Sequence, residues 1–224
     1  MENLKLLIAG EGGQGVQTIG EILAQTAFTE GNEVSLIPNF GVEQRGGVSL
    51  AFLQISREKP IAYPSAAPTS FAYPKFKKAD ILVVLAGRAI SRVNRYVGEN
   101  TIYVYDSTLI PLEALPIKKC NPTSAVCPFP HIVCNFNKIF SLPALDMASK
   151  KLAPGVFNMV ILGSLLALTH IVKNKDIKEV VDETLAHKFR AHPNLQKLDH
   201  EALQMGLASV KEQYVSQVNC IKVS

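Results

Sequence analysis

The sequence predicts a three-layer α/β fold with a mostly parallel sheet, a Rossmann-like N-terminal βαβ unit and a helical C-terminal third. Apolar runs at residues 4–9 and 33–37 flank an amphipathic stretch, which is typical of two parallel strands joined by a helix. Residues 80–86 hold the strongest strand pattern, an apolar run with β-branched residues that suits a central parallel strand. From about Pro143 onward every periodic segment is helical.

The other elements follow from the same patterns. Residues 48–55 alternate well enough for a strand, and residues 60–74 form a Pro-rich connection. Residues 107–131 are rich in turn formers. Further strands are predicted at 102–105 and 132–134, and helices at 15–30, 89–97, 143–150, 155–172, 175–188 and 196–215.

Length and composition indicate one domain over residues 1–224, since domains commonly hold about 100–200 residues. With 47% hydrophobic and 19% charged residues the chain can bury a full core, which excludes intrinsic disorder. The net charge of +4 is too small to indicate a nucleic-acid partner.

A membrane span is the alternative to test for residues 152–172, which contain no charged side chain. Pro154 and Gly155 lie at the start of this segment, and polar residues interrupt it, so we expect a helix buried in the core instead. The apolar run at the N-terminus is too short for a signal peptide. A cytoplasmic location is therefore expected.

No metal site is predicted. The four cysteines form no CxxC pair, so the spacings typical of zinc and iron–sulfur sites are missing. The three histidines near the C-terminus are spaced by five and eight residues, which does not align them on one helix face. The four cysteines are Cys120, Cys127, Cys134 and Cys220, and the three histidines are His187, His192 and His200. The first three cysteines are expected to be reduced residues of loops and strands.

The most informative segment is the first glycine loop, Gly10-Glu11-Gly12-Gly13-Gln14-Gly15, between a predicted strand and a predicted helix. Glycine permits positive φ and lets backbone N–H groups approach an anion, and a helix N-terminus adds partial positive charge. Four glycines in six residues exceed what one tight turn requires. We therefore expect this loop to approach a ligand or another chain closely.

Two known nucleotide motifs overlap this loop. Its GxGxxG pattern fits a dinucleotide fold, but the second strand ends in Pro38-Asn39, where such a fold has an acid for the ribose. Because Arg45 lies where it could meet a 2′-phosphate, an NADP-dependent Rossmann-type oxidoreductase remains the alternative. A P-loop is excluded, since Val16-Gln17 replace its Lys and Ser/Thr.

A second glycine loop, Gly41-Val42-Glu43-Gln44-Arg45-Gly46-Gly47, follows the second strand. Loops after the carboxyl ends of parallel strands share one edge of a sheet, so both glycine loops are expected at the same crevice. An Arg between glycines suits a phosphate, a carboxylate or a partner subunit. An ordinary solvated Arg in a turn is an equal alternative.

Together, the GxGGQG segment and the segment Phe40-Gly41-Val42-Glu43-Gln44-Arg45-Gly46-Gly47 resemble the gamma subunit of 2-oxoacid:ferredoxin oxidoreductases. Shorter matches follow in the order of that family, at residues 61 and 64, 79–83, 105–107, 158–163, 202 and 206. Asp199 stands where the family usually has Asn, and residues 116–135 match nothing in it. The resemblance therefore covers nearly the whole chain.

The resemblance implies a multi-subunit enzyme that converts a 2-oxo acid and coenzyme A (CoA) to acyl-CoA, CO2 and reduced ferredoxin. Thiamine diphosphate, magnesium and iron–sulfur clusters would belong to alpha, beta and delta partner subunits. This chain would be inactive alone, hold no catalytic residue and contribute architecture and part of a CoA pocket. Pyruvate, 2-oxoglutarate and ketoisovalerate remain open as substrates. The expected pocket residues are Gly10, Gly12, Gly13, Gln14, Gly15, Glu43, Arg45, Gly46 and Gly47.

Overall fold

The computed structural model describes residues 3–40, 46–56, 75–115, 139–171 and 177–221, with side chains described up to residue 210. Its strands are β1 (Leu4–Glu11), β2 (Glu33–Asn39), β3 (Val48–Ser56), β4 (Ile81–Val84), β5 (Ile102–Asp106) and β6 (Ile139–Leu142). Its α-helices are α1 (Val16–Thr29), α2 (Ile90–Val93), α3 (Ala144–Lys151), α4 (Phe157–Thr169), α5 (Ile177–Thr184), α6 (Ala186–Ala191) and α7 (Pro193–Ile221).

The six strands form one sheet in the order β2-β3-β1-β4-β5-β6. β1, β4, β5 and β6 pair in parallel, whereas β3 is antiparallel to both of its neighbours, β1 and β2. The prediction of a mostly parallel α/β sheet is confirmed. β1 and β2 run in the same direction as expected, but they are not neighbours, because the chain turns back after Asn39 and places β3 between them.

β1 lies at the centre of the sheet and contributes residues to two hydrophobic cores, one on each face of the sheet. Its residues 6–9 are fully buried, and the alternation of a strand sends Leu6 and Ile8 to one face and Leu7 and Ala9 to the other. The first face packs against α1 and the C-terminal helices, and the second packs against α2 and its flanking turns. The predicted three layers are therefore present.

The second face has a thin covering layer. Phe52 on β3 packs edge-on against Phe76 and Tyr96, with ring centroids 5.5 and 5.3 Å away. The helix predicted at 89–97 is only one α-helical turn with single 3₁₀ turns on each side. The Lys78 amine donates hydrogen bonds to the carbonyl oxygens of Arg95 and Val97. These two carbonyl oxygens therefore have hydrogen-bond donors although the helix does not continue.

The C-terminal third is helical, as predicted, with differences at its boundaries. The helix expected at 175–188 is two helices that break at Leu185, whose side chain is buried. The helix expected at 196–215 is longer, and β6 was not predicted. The strand expected at 132–134 and the connection at 60–74 lie outside the described residues. None of the helices in the described ranges is long and apolar enough to cross a bilayer.

α4 crosses α7 at backbone contact. A Cβ at Gly163 would overlap the Leu203 carbonyl oxygen, and one at Gly206 would overlap the Val160 carbonyl oxygen. Each helix therefore presents a glycine to the other, and no side chain can separate the two backbones. Most α4 side chains are buried, which explains why residues 152–172 lack charge.

Asp199 on α7 is a buried carboxylate, with 4% of its surface exposed. Burial raises its pKa to about 6, and the nearby charges of Lys188 and His200 lower it only in part. The folded protein therefore binds this proton more tightly than the unfolded chain does. Stability attributable to this group is complete at low pH and falls as the pH rises through about 6.

We expect Gly163→Ala and Gly206→Ala each to lower the free energy of unfolding by roughly 3 kcal/mol, because the added Cβ overlaps backbone that cannot move independently. Urea unfolding followed by circular dichroism measures this. Gly155→Ala is the matched control, since a Cβ there meets nothing within 4 Å. A Gly163→Ala protein as stable as that control would contradict the close crossing.

We expect Asp199→Asn to raise the free energy of unfolding by roughly 2–3 kcal/mol at pH 7–8, because the amide carries no buried charge. At pH 4 the Asp199 carboxyl is protonated, so variant and parent should converge. Urea midpoints from pH 4 to pH 8 give the comparison. A stability difference that is constant across this range would mean that Asp199 is not the titrating group.

Candidate functional site

The two glycine loops meet at the carboxyl edge of the parallel strands. Glu11, the last residue of β1, lies opposite Val48, the first residue of β3. The Gly12 N–H donates a hydrogen bond of 3.0 Å to the Gly47 carbonyl oxygen. The expectation that both loops lie at the same edge of the sheet is thereby confirmed for their described residues.

The Gln14 side chain joins the ends of β1 and β4. Its Oε1 atom accepts a hydrogen bond of 2.7 Å from the Glu11 N–H, and its Nε2 atom donates one of 3.1 Å to the Leu85 carbonyl oxygen. A Cβ at Gly10 would lie 2.7 Å from Gln14 Oε1, so Gly10 makes room for this side chain. The Gln14 side chain, in the space left by Gly10, therefore holds the first loop against the ends of β1 and β4.

The other loop glycines serve different needs. Gly13 has a φ of 96° and a Cβ there would meet nothing within 4 Å, so it borders open space. Gly15 has a φ of 76°, and a Cβ there would lie 2.5 Å from Asn158 Nδ2 on α4. Gly15 thus lets α1 begin directly against the start of α4.

The amino end of α1 opens onto the same edge. No side chain caps α1 within the described residues, so its first N–H groups are left for another partner. Gln17 ties this end to β3 by donating from Nε2 to Ser49 Oγ and to the Leu50 carbonyl oxygen, at 2.8 and 3.0 Å. The helix end is therefore held rigidly beside the glycine loops.

Arg88 is a site residue that the sequence reasoning missed. It lies in the turn after β4, and its Nε atom is 3.8 Å from Glu11 Oε1. Its side chain is 75% exposed, against 34% for Glu11. A signal existed in the sequence, since Gly87-Arg88 follows the strongest strand pattern and therefore falls at the carboxyl edge of the sheet.

Asp106, at the end of β5, has a structural role. Its two carboxylate oxygens accept from the N–H groups of Thr108 and Leu145, at 2.8 and 3.0 Å. Burial raises its pKa, and these hydrogen bonds lower it. The Asp106 side chain therefore joins β5 to the amino end of α3.

The remaining predicted site residues are placed as follows. Gly46 is exposed with a φ of 74°, and Gly47 is buried. Glu43 and Arg45 lie outside the described residues, as do Cys120, Cys127 and Cys134. His200 Nε2 is 2.7 Å from Asp182 Oδ1, which joins α7 to α5. Over the described ranges no three metal-ligating side chains come together.

A family model described as pyruvate ferredoxin/flavodoxin oxidoreductase matches residues 5–209. The chain belongs to this family. The resemblance to gamma subunits, derived above from the two glycine motifs, is confirmed, and with it the assignment as a subunit of 2-oxoacid:ferredoxin oxidoreductases.

Several proteins of the pyruvate ferredoxin/flavodoxin oxidoreductase family resemble the chain over most of its length. The pyruvate/ketoisovalerate oxidoreductases common subunit gamma of Pyrococcus abyssi is 28% identical over 82% of this chain and 87% of that protein. The 2-oxoglutarate synthase subunit KorC of Methanocaldococcus jannaschii is 28% identical over 79% of this chain and 81% of that protein. The ketoisovalerate oxidoreductase subunit VorA of Methanothermobacter thermautotrophicus is also 28% identical, but the chain spans only 32% of it.

Solved structures in this family share the fold. The gamma subunit of a keto/oxoacid ferredoxin oxidoreductase from Geobacter sulfurreducens has a TM-score of 0.64 and 21% identity, over 93% of this chain and 99% of that one. A second structure is the 2-oxoglutarate:ferredoxin oxidoreductase from Magnetococcus marinus, which was solved with 2-oxoglutarate, coenzyme A and succinyl-CoA bound. It has a TM-score of 0.64 and 23% identity, over 95% of this chain and 32% of that one.

We expect Gln14→Glu to lower the free energy of unfolding by about 2 kcal/mol at pH 7, because a carboxylate oxygen would then face the Leu85 carbonyl oxygen without a proton between them. Thermal unfolding measures the loss. The exposed Gln204→Glu is the matched control for the same change of charge. If the two variants unfold alike, the link between β1 and β4 does not depend on Gln14.

Proposed function

We propose that this chain is the gamma subunit of a complex that converts a 2-oxo acid and CoA to acyl-CoA, CO2 and reduced ferredoxin. The alpha, beta and delta partners hold thiamine diphosphate, magnesium and the iron–sulfur clusters, which supply decarboxylation and electron transfer. This chain has a structural role in the complex and forms one wall of the CoA site. The observation that carries the proposal is the family match over residues 5–209, a span that includes both glycine loops.

The CoA part of the proposal is supported by the geometry of the carboxyl edge. The hydrogen bond between Gly12 and Gly47 holds the two loops together beside the uncapped amino end of α1. Backbone N–H groups and a helix N-terminus favour anions, and CoA is the substrate of the proposed reaction that carries phosphate groups. Glycines at 13 and 46 leave this edge open.

The sheet order argues against the NADP-dependent alternative. In a dinucleotide-binding fold the second strand lies next to the first and brings its ribose-binding acid to the glycine loop. Here β3 lies between β1 and β2, so the end of β2 is two strands away from β1. Asn39 at that end also has no carboxylate. We therefore do not propose dinucleotide binding.

Purification of the tagged chain from its native cells without oxygen tests the complex. We expect mass spectrometry to find partners with thiamine-site and CxxCxxC motifs. We also expect the preparation to reduce ferredoxin when a 2-oxo acid and CoA are both present. Assays with pyruvate, 2-oxoglutarate and ketoisovalerate would then identify the substrate. Recovery of the chain alone as a stable homo-oligomer would refute the proposal.

Arg45→Ala in the assembled complex tests the CoA site. We expect the KM for CoA to rise about tenfold with kcat little changed, because one charge-assisted contact to phosphate is lost. Arg190→Ala, an exposed arginine on α6, is the control. An unchanged KM in the Arg45 variant would remove this residue from the site.

A further inference from the structure

The exposed ion pair between Arg88 and Glu11 gives the carboxyl edge a charge arrangement that the glycine motifs alone do not explain. Glu11 places a carboxylate at the end of β1, directly before Gly12. A carboxylate there opposes the approach of any phosphate to the glycine loops. Arg88 is the cation that lies against it, with its Nε atom 3.8 Å from Glu11 Oε1.

The backbone that carries Arg88 is fixed to the first glycine loop. The Leu85 N–H donates to the Ala9 carbonyl oxygen at 2.8 Å, and the Leu85 carbonyl oxygen accepts from Gln14. The turn then closes with a bond of 3.0 Å from the Ala89 N–H to the Ala86 carbonyl oxygen, and Ala89 is fully buried. Arg88 therefore extends from a rigid turn at the crevice.

The backbone of Arg88 is fixed, but its guanidinium group can easily leave Glu11. Three-quarters of the Arg88 side chain is exposed, and 3.8 Å is longer than a charge-assisted hydrogen bond. Exposed ion pairs of this kind contribute little to stability. Little free energy is therefore lost when Arg88 leaves Glu11 for a stronger hydrogen-bond acceptor. A phosphate offers that acceptor, since its oxygens match the planar donor group of Arg.

We propose that Arg88 exchanges partners when CoA binds: it pairs with Glu11 in the empty site and with a phosphate group of CoA in the occupied one. This inference rests on the proposed function, because it assumes that CoA binds at the glycine loops. Glu11 holds Arg88 over the crevice before binding and weakens the affinity for anions that cannot engage Arg88. The space beside Arg88 on the Gly87 side is open, since a Cβ at Gly87 would meet nothing within 4 Å.

Calorimetric titration of the purified complex with CoA at low salt tests the exchange. We expect Arg88→Ala to weaken binding about tenfold, since it loses a charge-assisted contact and leaves Glu11 unpaired. Glu11→Gln should bind CoA severalfold more tightly, because the competing carboxylate is gone. In turnover assays, the KM for CoA should change with kcat and the KM for the 2-oxo acid unaltered.

Lys197→Ala is the matched control, because Lys197 forms a similarly exposed ion pair of 3.9 Å with Glu201 on α7. Arg88→Ala binding CoA as well as this control would overturn the exchange while leaving the proposed function standing. The Arg88→Ala, Glu11→Gln double variant should remain weaker than the parent. Its return to the parent affinity would mean that Arg88 only neutralises Glu11. A parent complex that binds no CoA would refute both proposals.

Discussion

The Gln14 side chain is the interaction on which the geometry of the site depends. Its amide bonds to Glu11 on β1 and to Leu85 after β4, so one side chain bridges the ends of two neighbouring strands. Gly10 leaves the space for this amide, and the loop then turns through Gly13 and Gly15 into α1. Gln14 thus adds a side-chain link between the first loop and the turn that carries Arg88, beside the backbone bond from the Leu85 N–H to the Ala9 carbonyl oxygen.

The buried and exposed charges of the molecule have different uses. Asp106 is buried, but its carboxylate accepts two backbone N–H bonds and joins β5 to α3. Asp199 is buried and accepts no such bond from the described residues, so its charge opposes folding near neutral pH. At the sheet edge Arg88 is exposed and Glu11 is half-buried, so their pairing contributes little to stability and Arg88 remains available to a ligand.

The strands and the main helices followed from hydrophobic periodicity, because most elements bury one clear face or lie wholly in the core. Periodicity does not encode strand order, and so it missed that β3 lies between β1 and β2. The break at Leu185 was also missed, since a buried leucine fits a continuous helix equally well. β6 was missed because Ser141 interrupts its four residues, so it lacks the continuous apolar run that marked β4.

At the site, the glycines and their shared edge could be predicted because glycine patterns report backbone demands directly. The role of Gln14 could not be predicted, since its partner Leu85 is 71 residues away in the chain. The place of Arg88 at the sheet edge could have been predicted from the strand before it, but its pairing with Glu11 could not, because the two meet only after β1 and β4 have paired. The resemblance to a family gave the function, which no single spacing could have given.

The central position of β1 has a consequence for how the chain folds during synthesis. Leu6 pairs with Leu53 on one side and with Ile81 on the other, so the first strand made has its second partner only about 75 residues later. Contacts so distant in sequence slow folding, since the intervening chain must close into a loop before they form. The apolar residues 6–9 therefore leave the ribosome long before their final neighbours exist, and are then open to chaperones and to aggregation.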